Sequence, residues 1–163
     1  MITHYDTRPG THRPLWPTDM PTWLMLTLVA IALPRTILAD LDVVQPESGL
    51  LYYFLALTPF VVWLGVAVLR ATRKPITDFL VLGALYGLSL AVVHQVLWDA
   101  GAGLGHEPSA GAVSFADDFG SGFHELALRG YTIMIAMMIG VGSGLVAAIV
   151  AFAAKPVRTA RHR

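Results

Sequence analysis

The chain has 163 residues, 55% of them hydrophobic and 13% charged, with a formal net charge of zero. Soluble domains carry about 25% charged residues, and a neutral chain has no bulk field to gather nucleic acid, so a nucleic-acid binder is excluded. The absence of cysteine excludes disulfides, thiolate metal sites, cysteine nucleophiles and iron–sulfur ligation.

The tail before Trp23 holds four prolines and is expected to be irregular. Apolar runs of about 18 residues or more read as membrane-spanning helices, and four are expected. The first, Trp23–Ala39, is the weakest because it is short and contains Pro34 and Arg35. A central arginine costs about 2.5–3.5 kcal/mol on insertion, and each Leu, Ile or Val returns about 0.3–0.6, so its aliphatics offset Arg35 with little to spare. The rival for this segment is a signal peptide. The run is long for a signal core, and "TILAD" is a poor cleavage site.

The second span is Leu50–Leu69, with Pro59 at its centre, where a kink is expected. The third is Phe79–Trp98. Pro75 precedes it, Thr77 is the expected cap and Asp78 sits at the positive end of the helix dipole. The fourth is Tyr131–Ala154, halted by Lys155-Pro156. The expected fold is therefore an all-α integral membrane protein. It forms one four-helix bundle over residues 1–163, with tails 1–22 and 155–163.

Nine of the eleven basic residues fall in the two tails and the 70–74 loop, and eight of the eleven acids fall on the opposite side. The positive-inside rule then makes both termini cytoplasmic and puts the long 99–130 loop outside. Trp98, Tyr52, Tyr53 and Tyr131 would form the outer aromatic belt and Trp23 the inner one. The arginine-rich, Ala-, Val- and Gly-rich composition points to a bacterial plasma membrane. Small residues recur every four positions at Gly83, Gly87 and Ala91, and at Ala136, Gly140, Gly144 and Ala148. Such rows let two backbones approach closely, within one chain or between copies.

The loop from Asp99 to Gly130 is the only long connection. A short amphipathic helix capped by Ser121 is expected from there to Leu128, with Phe123, Leu126 and Ala127 on its apolar side. His94, His106, Asp117, Asp118, His124 and Glu125 supply nitrogen and oxygen atoms of the kind that bind a divalent metal. No H-E-x-x-H, G-x-G-x-x-G, G-x-x-x-x-G-K or G-x-S-x-G motif occurs. A bis-histidine haem lacks a second intramembrane histidine, though His94 alone leaves an axial ligand open. The sequence names no cofactor.

His94 precedes Asp99 by five residues, and Arg35 precedes Asp40 by five, so both lie about 7 Å below the outer boundary at 1.5 Å per residue. Arg35, Tyr53 (or its neighbour Tyr52), His94, Gln95 and Asp99 are therefore the expected polar layer, and intramembrane ionisable groups are functional candidates. Asp99, across the bundle, is the expected desolvated partner of Arg35, with Asp40 left exposed. The leading functional expectation is a non-enzymatic accessory or binding subunit with an outward-facing polar site. Its partners would be the bilayer and a larger membrane protein or a second copy. A small membrane enzyme using His94, Asp99 and the loop is the alternative, and a transport component the third.

Overall fold

The computed structural model describes residues 18–41, 43, 49–70, 72–103 and 107–155. Most of the N-terminal tail, the tail beyond Lys155 and His106 lie outside them. Among the described residues there is no strand. The helices are α1 Thr22–Asp40, α2 Gly49–Leu69, α3 Pro75–Gly103, α4 Ala110–Asp117 and α5 His124–Ala153. Four of them, α1, α2, α3 and α5, are long and apolar enough to cross a membrane.

Five hydroxyls inside these helices bond their own backbone. Thr27, Thr58, Ser89, Thr132 and Ser143 each donate to the carbonyl four residues earlier, at 2.7–3.0 Å. An apolar environment offers no water to such groups, so back-bonding satisfies them within the helix. The outward faces are apolar: Leu26, Phe54, Val61, Val96 and Ile149 are each more than half exposed. That surface suits lipid and would be a liability in water.

α3 starts four residues earlier than its hydropathy suggests. Pro75 is its first residue, where the missing N–H costs nothing and the fixed φ fits a helix. Thr77 therefore lies inside the first turn and is not the cap. The Asp78 carboxylate is fully buried instead, accepting hydrogen bonds from the Asp19 backbone N–H at 2.8 Å and from the Thr72 hydroxyl. Arg70 and Arg73 hold Asp19 from the other side, Arg70 through its guanidinium and Arg73 through its backbone N–H, at 3.1 and 3.2 Å. This polar clasp ties the segment before α1 to the α2–α3 connection.

α3 and α5 run antiparallel in close contact. A Cβ built on Gly83 would stand 2.5 Å from the Gly140 carbonyl oxygen and 2.9 Å from Gly144 Cα. A Cβ on Gly87 would stand 3.0 Å from Met137 Cα. Further along, Gln95 meets Arg129. Only glycine permits the first two approaches, and the close backbones gain dispersion contacts that lipid does not supply. α1 packs on α2 and α3, and α2 packs also on α5. α2 buries just Pro59, Trp63 and Ala67, one residue per turn. The Trp63 indole N–H donates to the Leu28 carbonyl at 3.1 Å, and its ring meets Tyr86 edge-on at 5.4 Å.

The 99–130 stretch is mostly helical where described. α3 continues through Gly103, α4 occupies Ala110–Asp117, and α5 starts at His124. The expected separate helix from Ser121 to Leu128 is thus the beginning of α5, and Ser121 does not cap it. Ser109 caps α4, its hydroxyl accepting from the Ala112 N–H at 3.3 Å. Ala112 and Ala116 pack against Leu128, with Trp98, Ala127 and Tyr131 around them. Gly120, at φ 71°, supplies the left-handed turn from α4 to α5.

Candidate functional site

At the α4 end, α1, α3 and α5 diverge around a cavity of about 360 Å³, open on one side, with Tyr52 of α2 on its wall. Its size falls within the usual range for small-molecule sites, about 300–1,000 Å³. Pro108 and Ser109, just before α4, close it at one extreme, and Ile139 of α5 lies at the other. The α3 wall includes Tyr86, Leu90, His94, Leu97 and Gly101. Those positions step by three and four, so they form one face of the helix.

Two polar groupings sit on the wall. In the first, Arg35 donates from Nη2 to the Tyr52 hydroxyl at 2.6 Å, with its guanidinium carbon 4.9 Å from the Tyr52 ring centroid. In the second, His94 Nδ1 lies 2.7 Å from Asp40 Oδ2. The distance is that of an ion pair, although the two atoms are not aligned as a hydrogen bond. Asp40 is 5% exposed, and the His94 ring is the group that faces its Oδ2.

Asp99 is placed differently from its expected role as the partner of Arg35. Its side chain is 94% exposed and lies 3.6 Å from Arg129. The reason is azimuth: five residues along a helix turn a side chain by about 140°, so Asp99 and His94 point to different neighbours. Asp40 is the buried carboxylate, and it faces His94 rather than Arg35. Gln95 shares the Asp99 side of α3, and its Oε1 accepts from Arg129 Nη1 at 3.4 Å. Arg129 also pairs with Glu125 at 2.9 Å and covers the Trp98 ring at 4.9 Å. Neither Gln95 nor Asp99 lines the cavity.

Of the two adjacent tyrosines, Tyr52 lines the cavity; Tyr53 is 51% exposed and touches Tyr52 edge-on. The five metal candidates among the described residues are not brought together. His94 pairs with Asp40, His124 pairs with Asp117 at 3.2 Å in an exposed position, and His106 is outside the described residues. Among the described residues no three His, Asp or Glu side chains are grouped to hold a metal ion.

Tyr86, Thr36 and Tyr131 are wall residues that sequence reasoning missed. A signal for Tyr86 was present: stepping back from His94 by four and by eight reaches Leu90 and Tyr86. Comparison with known protein families, with curated proteins and with solved structures finds no match to this chain.

Proposed function

We propose that this chain is a four-helix membrane bundle that acts as a non-enzymatic binding or accessory subunit, holding a small ligand in the cavity below α4. The observation that carries the reading is the cavity itself: a ligand-sized space in otherwise apolar helices, walled by Arg35, Tyr52, Asp40 and His94. Ionisable groups in such helices are costly and accumulate where they bind something. The basic tails and 70–74 loop support a cytoplasmic location for both termini, and with it α4 and the neighbouring end of the cavity on the outer side of a bacterial plasma membrane. The bilayer is the first partner, and the accessory role implies a larger membrane protein or a second copy beside the exposed faces.

The absence of cysteine makes single-cysteine labelling clean. Ser114→Cys, at an exposed site on α4, should react with an impermeant thiol reagent in intact cells, and Arg73→Cys should not. The reverse pattern overturns the orientation. Native mass spectrometry of the gently solubilised protein tests the binding role. A co-purifying small molecule or subunit is expected, and Ala39→Phe, which projects a ring from the cavity wall, should displace a small molecule.

One observation favours a second reading, a small enzyme: His94 faces the cavity with a buried carboxylate behind its ring nitrogen. That arrangement orients an imidazole for general acid–base work. Turnover that disappears in both His94→Gln and Asp40→Asn, with ligand binding retained, would select it.

A further inference from the structure

Two arginines sit at the α4 end, and their surroundings differ. Arg129 has Glu125, Asp99 and Gln95 around its guanidinium. Arg35, half-buried on the cavity wall, has no carboxylate within 4.0 Å among the described residues. Its one hydrogen bond among them goes to the neutral Tyr52 hydroxyl. Asp40, the acid on the same wall, lies beside His94. A half-buried guanidinium among apolar helices is stabilised by a counter-charge, and the described chain does not provide one within 4.0 Å.

The donors around Arg35 match an oxyanion. A guanidinium carries five N–H donors in a planar fork suited to carboxylate or phosphate, and one of the five is committed to Tyr52. The Tyr52 oxygen accepts that bond, so its own proton remains available to a ligand. Below this head group the wall turns apolar, with Leu90, Ile135 and Ile139. The lining residues extend from Tyr86 to Ala102 on α3, about 24 Å at 1.5 Å per residue. A small free anion would leave most of that length uncovered.

We infer that the cavity takes an anionic amphiphile, with a carboxylate or phosphate head on Arg35 and the Tyr52 hydroxyl and an alkyl chain along α3 and α5. The inference rests on the ligand-binding reading of the cavity and names the ligand's chemistry. Cationic amphiphiles are disfavoured because Arg35, with no carboxylate within 4.0 Å among the described residues, would repel their head group.

The test is thermal unfolding and binding titration of the full chain in a neutral detergent. Five probes are compared: dodecyl phosphate, laurate, dodecanol, dodecyltrimethylammonium and inorganic phosphate. Dodecyl phosphate and laurate should raise the unfolding midpoint and compete with each other, while the other three should not. Arg35→Gln should weaken dodecyl phosphate binding at least about ten-fold, which corresponds to ~1.4 kcal/mol. Tyr52→Phe, which keeps the charge, should weaken it less, and Ala39→Phe should abolish it. Dodecanol matching dodecyl phosphate would overturn the anion inference and leave the cavity reading standing. Inorganic phosphate matching dodecyl phosphate would overturn the amphiphile. No stabilisation by any probe, with Ala39→Phe inert, would remove both readings. If Arg35→Gln does not fold, the wild-type contrast between dodecyl phosphate and dodecanol decides the question.

Discussion

The α3–α5 contact should fail in a graded way when single methyl groups are added to it. A Cβ at Gly140 would run into the Cα and N of Gly87 and the carbonyl oxygen of Gly83. One at Gly83 would lie 2.5 Å from Gly140 O, with Gly144 Cα at 2.9 Å on its other side. Ordinary contacts begin at 3.4 Å, so the helices must part by roughly 1 Å. Every obstructing atom here is backbone, so no side chain can rotate away. Overpacking of this kind costs about 1–3 kcal/mol, and separation also forfeits dispersion contacts along the seam. Gly142, two residues from both Gly140 and Gly144, has nothing within 4 Å of its Cβ position. Gly142→Ala therefore adds no clash and gains up to about 1 kcal/mol of helix propensity. Unfolding in mild detergent, followed by circular dichroism against denaturant, should rank Gly140→Ala least stable, Gly83→Ala next, and Gly142→Ala at or above the wild type. Equal effects of Gly140→Ala and Gly142→Ala would refute close packing at this seam.

Two further substitutions test the polar groups. Asp40→Asn should cost about 1–3 kcal/mol because it strips the charge from a buried pair, whereas Asp99→Asn, with a side chain 94% exposed, should cost about 0–1 kcal/mol. A double-mutant cycle with His94→Gln should show coupling for Asp40 and none for Asp99; the opposite pattern would contradict the pairing. Asp78→Asn should lose about 1–3 kcal/mol through its buried hydrogen bonds to Asp19 and Thr72. It should also speed hydrogen exchange at the Asp19 amide, and unchanged exchange there would show that the clasp does not hold that segment.

Hydropathy locates the long helices because an apolar run has to be helical in lipid. α1 and α2 start and end within one residue of the expected spans. It fails at the α4 end for a specific reason. "DAGAG" and "SAGAV" look like loop on propensity, since glycine costs about 1 kcal/mol in a helix. Gly101 is nonetheless buried in α3. A Cβ at Gly111 would stand 2.8 Å from the Tyr131 hydroxyl, so that glycine admits the tyrosine. Tertiary packing overrides local preference at both places. α5 likewise runs through Gly130, where a side chain would meet nothing, so no break separates the amphipathic segment from the span.

The candidate site was legible in depth and not in direction. Counting residues from the helix ends puts Arg35 and His94 at one level, and both line the same cavity. Counting does not say which acid each one meets, because partner choice depends on how neighbouring helices are rotated. On α3, Gln95 and Asp99 are one turn apart, so both reach Arg129 of the antiparallel α5. His94 turns to α1, where Asp40 meets it. Both acids that depth alone offered to Arg35 thereby lie beside other side chains, Asp40 beside His94 and Asp99 beside Arg129. An arginine that depth matched with two acids in the sequence ends up on the Tyr52 hydroxyl in the fold, and that residual charge is the property that no one-dimensional count of the chain reveals.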